Sequence, residues 1–131
     1  MRDINEITGA VVKAAYEVHT RLGPGLLESV YEMVLAKVLE QRGFRTERQK
    51  TLSFEFDGLR FEDGFRVDLM VDERVLVELK SIEKLAPVHT KQVLTYLRLL
   101  NLPVGLLINF GAVSLKDGLH RVSNFQRLKP G

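Results

Sequence analysis

Cysteine is absent from the 131 residues, which excludes disulfide staples and cysteine-ligated zinc. The three histidines, His19, His89 and His120, fall at no metal-ligand spacing. No apolar run approaches the length of a membrane span, and Met1-Arg2-Asp3-Ile4-Asn5-Glu6 lacks a signal-peptide pattern. The expected setting is therefore the cytoplasm, with no membrane partner. Acidic residues are nearly missing from the last third. Residues 84–131 carry one acid against seven Lys and Arg, whereas residues 44–83 carry ten against seven and residues 1–43 six against five. A net charge of +2 thus hides a +6 segment, which can meet a phosphate backbone or simply solubilise the last elements.

What is present reads as one domain, residues 1–131, long enough to bury a core without staples. Ile4, Ile7, Val11, Ala14, Ala15, Val18 and Leu22 recur at helical spacing, with Asp3 or Asn5 as N-cap and Gly23-Pro24 as a stop. A second helix is expected from near Gly25 to Gly43, with a stripe of Leu26, Leu27, Val30, Tyr31, Val34, Leu35, Val38 and Leu39. On that wheel Glu28 falls inside the buried face. Glu32 falls just outside it, as a solvated or salt-bridged residue.

From Phe44 onward the texture is that of strands. Asp57-Gly58 is a strong hairpin turn that pairs Phe56 with Leu59 and Phe54 with Phe61. The odd-numbered apolar face then runs on through Phe65, Val67, Leu69 and Val71, with a bend or bulge near Gly64. Pro87 opens a third helix to about Asn101, with Val93, Leu94, Leu97 and Leu100 facing inward. Val104 to Phe110 is almost continuously apolar, as a strand covered on both faces would be. The crossover makes this strand parallel to the one before the helix. Leu119 to Val122 can add a short edge strand. The fold class is α/β, a mixed sheet of about four to five strands flanked by helices.

The chemistry concentrates in Gly64-Phe65-Arg66-Val67-Asp68 and, ten residues after that aspartate, Glu78-Leu79-Lys80. Both runs alternate as strands. A three-residue loop of Asp72, Glu73 and Arg74 pairs Val71 with Val75 and Asp68 with Glu78, the register that keeps the apolar residues together. Lys80 lies two residues along on the same face. Two carboxylates roughly 5 Å apart at an effective dielectric of about 20 repel by about 3 kcal/mol. A divalent cation turns that repulsion into attraction. Taken singly, each of the three residues also suits an exposed strand face.

Here the chain resembles the PD-(D/E)xK nuclease superfamily, with Val67 at the proline position. Gly25-Leu26-Leu27-Glu28-Ser29-Val30-Tyr31 also resembles the signature of the GxxExxY proteins, whose members carry the same order of helical motif, Asp and E-x-K. The likeness extends from roughly Ile4 to Phe110 and implies a restriction-endonuclease-like ααβββαβ core. It further implies a Mg²⁺- or Mn²⁺-dependent nuclease acting on nucleic acid, most readily DNA. In that reading Asp68, Glu78 and the Leu79 carbonyl ligate the metal, directly or through Glu28 and water, while Lys80 acts on the attacking water.

Gln92 and Tyr96 resemble the Q-x-x-x-Y element of lambda-exonuclease-like and RecB-like nucleases, whose pair holds phosphate or water. A polar helix edge explains them equally. Glu28 has the alternative of a first-turn role, favourable near a helix N-terminus. His89 suits a surface helix start and His19 a structural contact. Lys91, Arg98, Arg121 and Lys129 are the candidate nucleic-acid contacts. Two rivals stand beside the nuclease: a nucleic-acid-binding module without turnover, whose affinity would survive loss of Asp68, and a regulatory interaction subunit. The oligomeric state is open, a homodimer included.

Overall fold

The computed structural model describes residues 2–125. Helix α1, Ile4–Leu22, starts where Asp3 Oδ1 accepts the Glu6 N–H at 2.8 Å, and it ends at Gly23, whose φ of +74° few other residues adopt. Ile7, Val11, Ala14, Ala15 and Val18 are buried, as their spacing predicts. Helix α2, Glu28–Gln41, begins three residues later than expected. Gly25 at φ +105° turns the chain away first, so Leu26, Leu27 and Val30 are exposed and the buried face is Tyr31, Glu32, Leu35, Ala36 and Leu39.

Five strands follow in the order β1-β2-β3-β4-β5: β1 Thr46–Phe56, β2 Leu59–Val71, β3 Val75–Lys80, β4 Val104–Asn109 and β5 Leu119–Ser123. Helix α3, Pro87–Leu100, crosses from β3 to β4, which pair in parallel; the other neighbours are antiparallel. A four-residue helix α4, Leu115–Gly118, precedes β5. It is too short to leave a period in the sequence. Phe56 faces Leu59, Phe54 faces Phe61 and Val71 faces Val75, the registers read from the turns. Opposite Ser53, β2 carries extra residues before Phe65, a bulge in which a Cβ on Gly64 would lie 2.6 Å from the Phe54 ring.

The expected continuous odd-numbered face of β2 is corrected. Leu69 and Val71, with Val75, Val77 and Leu79, pack under α1 and α2, whereas Phe65 and Val67 pack on the α3 side with Met70, Leu76, Val93 and Leu97. The switch falls at Asp68, between Val67 and Leu69. Across the ladder from it, Gln49 adopts φ +51° and kinks β1 without inserting a residue, since Lys50↔Val67 and Arg48↔Leu69 keep one register. Among the described residues, no helix is long and apolar enough to cross a membrane.

Candidate functional site

Asp68 sits where two strands part. The β2–β3 ladder runs from Val71↔Val75 only to Leu69↔Val77, while β3 stays paired with β4 as far as Lys80↔Asn109. In the opening, side chains replace backbone partners. The Asp68 N–H donates to Glu78 Oε1 at 3.1 Å, and the Leu79 N–H donates to Asp68 Oδ2 at 2.9 Å. Each carboxyl thus takes the amide that the missing ladder would have used. Gln49 Nε2 donates to Asp68 Oδ1 at 3.3 Å from the far side.

Glu78 is only 5% exposed. Burial, and after it the charge of Asp68, pushes its carboxyl up to about 8; the Asp68 N–H and the Lys80 ammonium pull the other way. Glu78 therefore favours its protonated form through most of the neutral range.

Glu28 is the first residue of α2 and exposed, which corrects its expected place inside the buried face. Its position at the helix end is what leaves it uncovered. Partial burial of the carboxyl still pushes it up, Asp68 and Glu32 add to this, and Lys80 and His89 oppose it.

The loop before Glu28 is tied to Lys80 by a chain of contacts. Tyr31, buried, donates its hydroxyl to the Gly23 carbonyl and accepts the Leu26 N–H at 3.1 Å. Its ring stacks on Phe110 with centroids 4.5 Å apart, and the Phe110 N–H donates to the Lys80 carbonyl at 2.8 Å. Ser81 Oγ donates to the Leu26 carbonyl, and the Asn109 side chain bonds both the N–H and the carbonyl of Ile82.

On α3, Gln92 Nε2 donates to Tyr96 Oη at 3.1 Å. Burial raises the Tyr96 phenol, as do the charges of Glu78 and Asp68, while the Gln92 bond lowers it. Tyr96 thus feels the charges of both acids. His89 Nδ1 accepts the Ala86 N–H, a helix-start role, and His19 Nε2 is bonded to the Ala112 carbonyl, a structural one. Lys91 and Arg98 are exposed on α3. Arg121 donates to Asn5 Oδ1 and Thr8 Oγ1 near the start of α1. Lys129 lies outside the described residues.

The wheel puts Glu32 just outside the buried face as a solvated or salt-bridged residue; the salt bridge is present, but the residue is 4% exposed and not at the helix margin. It is ion-paired as well as buried: Arg48 Nε and Gln49 Nε2 both donate to it. Continuing the Lys50↔Val67 register by one residue would have found Gln49 opposite Asp68. Arg48→Ala should destabilise the fold by about 2–3 kcal/mol, because it leaves a buried carboxylate without its cation. Adding Glu32→Gln should recover most of that loss. Urea denaturation of the two variants checks this, and a single variant as stable as wild type would show the pair to be dispensable.

Comparison with known proteins follows the same outline. The model of the PD-(D/E)XK nuclease superfamily matches residues 5–122. No curated protein and no solved structure matches the chain.

Proposed function

The chain belongs to the PD-(D/E)XK nuclease superfamily, and we propose that it is a Mg²⁺- or Mn²⁺-dependent nuclease that hydrolyses phosphodiester bonds in DNA. One observation carries the reading: β2 and β3 part at Asp68 and Glu78, whose carboxyls take the Asp68 and Leu79 amides, with Lys80 on the next turn of the pleat. We further place it among the GxxExxY proteins on Gly25, Glu28 and Tyr31, as one domain over residues 1–131, working in the cytoplasm.

The donor set fits the proposed ion. Asp68, Glu78 and the Leu79 carbonyl offer hard oxygens, and Mg²⁺ characteristically takes one or two carboxylates and keeps several waters. Among the described residues, no group of three or more His, Cys, Asp or Glu side chains could hold a metal by itself. When bound, the ion supplies Lewis acidity toward the phosphate and a lowered pKa for water.

The chain's own groups supply the rest. Lys80 orients the attacking water and offsets charge that develops on the phosphate oxygens. Gln92 and Tyr96 hold phosphate or water by hydrogen bonds, and Glu28 holds water on the side facing α2. Lys91 and Arg98, with Arg121 and Lys129, draw in the backbone through a salt-dependent attraction.

The test is incubation of the pure protein with labelled linear, circular and branched nucleic acids, with and without Mn²⁺. Cleavage that needs the ion and disappears in Asp68→Asn is the expected result. Binding without cleavage, unchanged in Asp68→Asn, would make the protein a binding module instead. Gln92→Ala and Tyr96→Phe should each lower turnover about ten- to hundredfold, the worth of one positioning hydrogen bond, with little change in metal-induced stabilisation. Full activity in both variants would remove α3 from the site.

A further inference from the structure

Gln49 stands inside β1 at φ +51°, in the left-handed region that residues with a side chain seldom adopt, and no inserted residue forces it there. Glycine or asparagine would take this conformation more readily. What glutamine adds is reach. Its Nε2 donates to Glu32 Oε1 and, at 3.3 Å, to Asp68 Oδ1. An amide nitrogen carries two hydrogens, and here each goes to a different carboxylate. The far end of this link is fixed, because Glu32 is buried and also accepts Arg48 Nε at 3.2 Å. The near end is fixed as well, because Asp68 Oδ2 accepts the Leu79 N–H at 2.9 Å. A carboxylate has two lone-pair directions on each oxygen. Gln49 and Leu79 take one apiece, which leaves one open on each oxygen of an oriented Asp68.

We infer that Gln49 is a positioning residue of the acid pair: its amide orients the Asp68 carboxylate for a divalent ion without cancelling the charge that the ion needs. The inference deepens the nuclease reading above and rests on it. Charge decides why an amide stands at this place. A lysine or arginine between Glu32 and Asp68 would hold the carboxylate equally well. It would also neutralise it, and the repulsion between the two acids that favours an ion would go with that charge. Arg48, the next residue along, gives its charge to Glu32 at 3.2 Å. Gln49 thus carries orientation from α2 to Asp68 and leaves the charge behind. Partners of this kind, one bond behind a metal-ligating group, characteristically contribute ten- to a hundredfold to metal affinity. Were Gln49 there only to satisfy Glu32, its loss would change stability and nothing else.

The experiment uses the full chain and two readouts that need no cleavage: Mn²⁺ binding by isothermal titration calorimetry, and urea stability in EDTA. Gln49 is exposed, and three substitutions separate its backbone from its amide. Gln49→Ala and Gln49→Gly both delete the amide, and only the glycine also relieves the backbone at φ +51°. The glycine variant should therefore be the more stable of the two, while both bind Mn²⁺ about ten- to hundredfold more weakly than wild type. Gln49→Lys keeps a donor between the acids and adds charge. It should bind Mn²⁺ at least as weakly as Gln49→Gly, yet be more stable than Gln49→Ala in EDTA. Wild-type Mn²⁺ affinity in Gln49→Gly or Gln49→Lys overturns the inference. So does an Mn²⁺ affinity that follows stability across the three variants, or wild type that binds no Mn²⁺. Weakened Mn²⁺ binding in variants of a protein that cuts no nucleic acid would sink the nuclease reading and leave the positioning role standing. Mn²⁺-dependent cleavage by wild type, with unchanged Mn²⁺ affinity in Gln49→Gly, would do the reverse.

Discussion

Lys80→Ala should abolish metal-dependent cleavage, a fall of about a hundred- to ten-thousandfold, while the rise in melting temperature with Mn²⁺ is retained. The size follows from what a positioned acid–base group or a preorganised cation contributes in a dry site, each on the order of 10²–10⁴ in rate. The selectivity follows from the fold. Lys80 is half-buried on β3, where the Phe110 N–H and the β4 ladder hold its backbone, so truncating the side chain leaves the strand in place. Its ammonium is assigned to water and phosphate, not to the ion, so metal binding survives. Loss of the ammonium also removes a charge that favours ionised Glu78, which should weaken metal affinity modestly. Single-turnover cleavage and thermal melts across a Mn²⁺ titration measure both effects. A variant that cleaves at the wild-type rate removes Lys80 from the chemistry, and one that no longer responds to Mn²⁺ would make it part of the ion's site.

The acids and the lysine were legible because turn chemistry fixes register. Asp57-Gly58 sets one hairpin and the Asp72–Arg74 loop the other, and counting from there reaches Asp68 and Glu78 one step past Leu69↔Val77, where the ladder ends. The parallel β4 was legible from its unbroken apolar run and the crossover helix before it. What stayed hidden depends on contacts between distant segments. Gln49 takes φ +51° although nothing in its residue type demands it, and the change of face at Asp68 leaves no trace in the alternation. Glu32 is buried because Arg48 and Gln49 on β1 satisfy it, and no helical wheel contains β1. Leu26 and Leu27 extended the apolar stripe of α2 by pattern alone, yet the turn at Gly25 and the Leu26 N–H bond to Tyr31 hold them outside the helix.

Between pH 5 and 8 the metal-free protein should lose stability as the pH rises, and Glu78→Gln should not share this loss. In the folded state the Glu78 carboxyl keeps its proton to about 8, against an ordinary value of 4.5. Across that window the native state therefore binds more protons than the unfolded chain, and stability falls as pH rises. The contribution is fully present below about 4.5 and gone above about 8. The difference in pKa corresponds to about 5 kcal/mol, or a melting shift on the order of 15 °C for a chain of this size. Glu78 is nearly inaccessible to water, so solvent does not screen the effect away. Glutamine keeps an acceptor for the Asp68 N–H and carries no charge at any pH, so the stability gap between the two proteins should open steadily from pH 5 to 8 and then level off. A saturating divalent ion should act in the opposite sense, since it binds the ionised pair and stabilises only the folded state. With Mn²⁺ the wild type should gain most at high pH, while Glu78→Gln gains little. Urea melts at each pH, in EDTA and in Mn²⁺, give all four curves. Parallel curves for wild type and variant in EDTA would show that Glu78 is ionised throughout, and the strained acid pair on which the metal site rests would have to be abandoned.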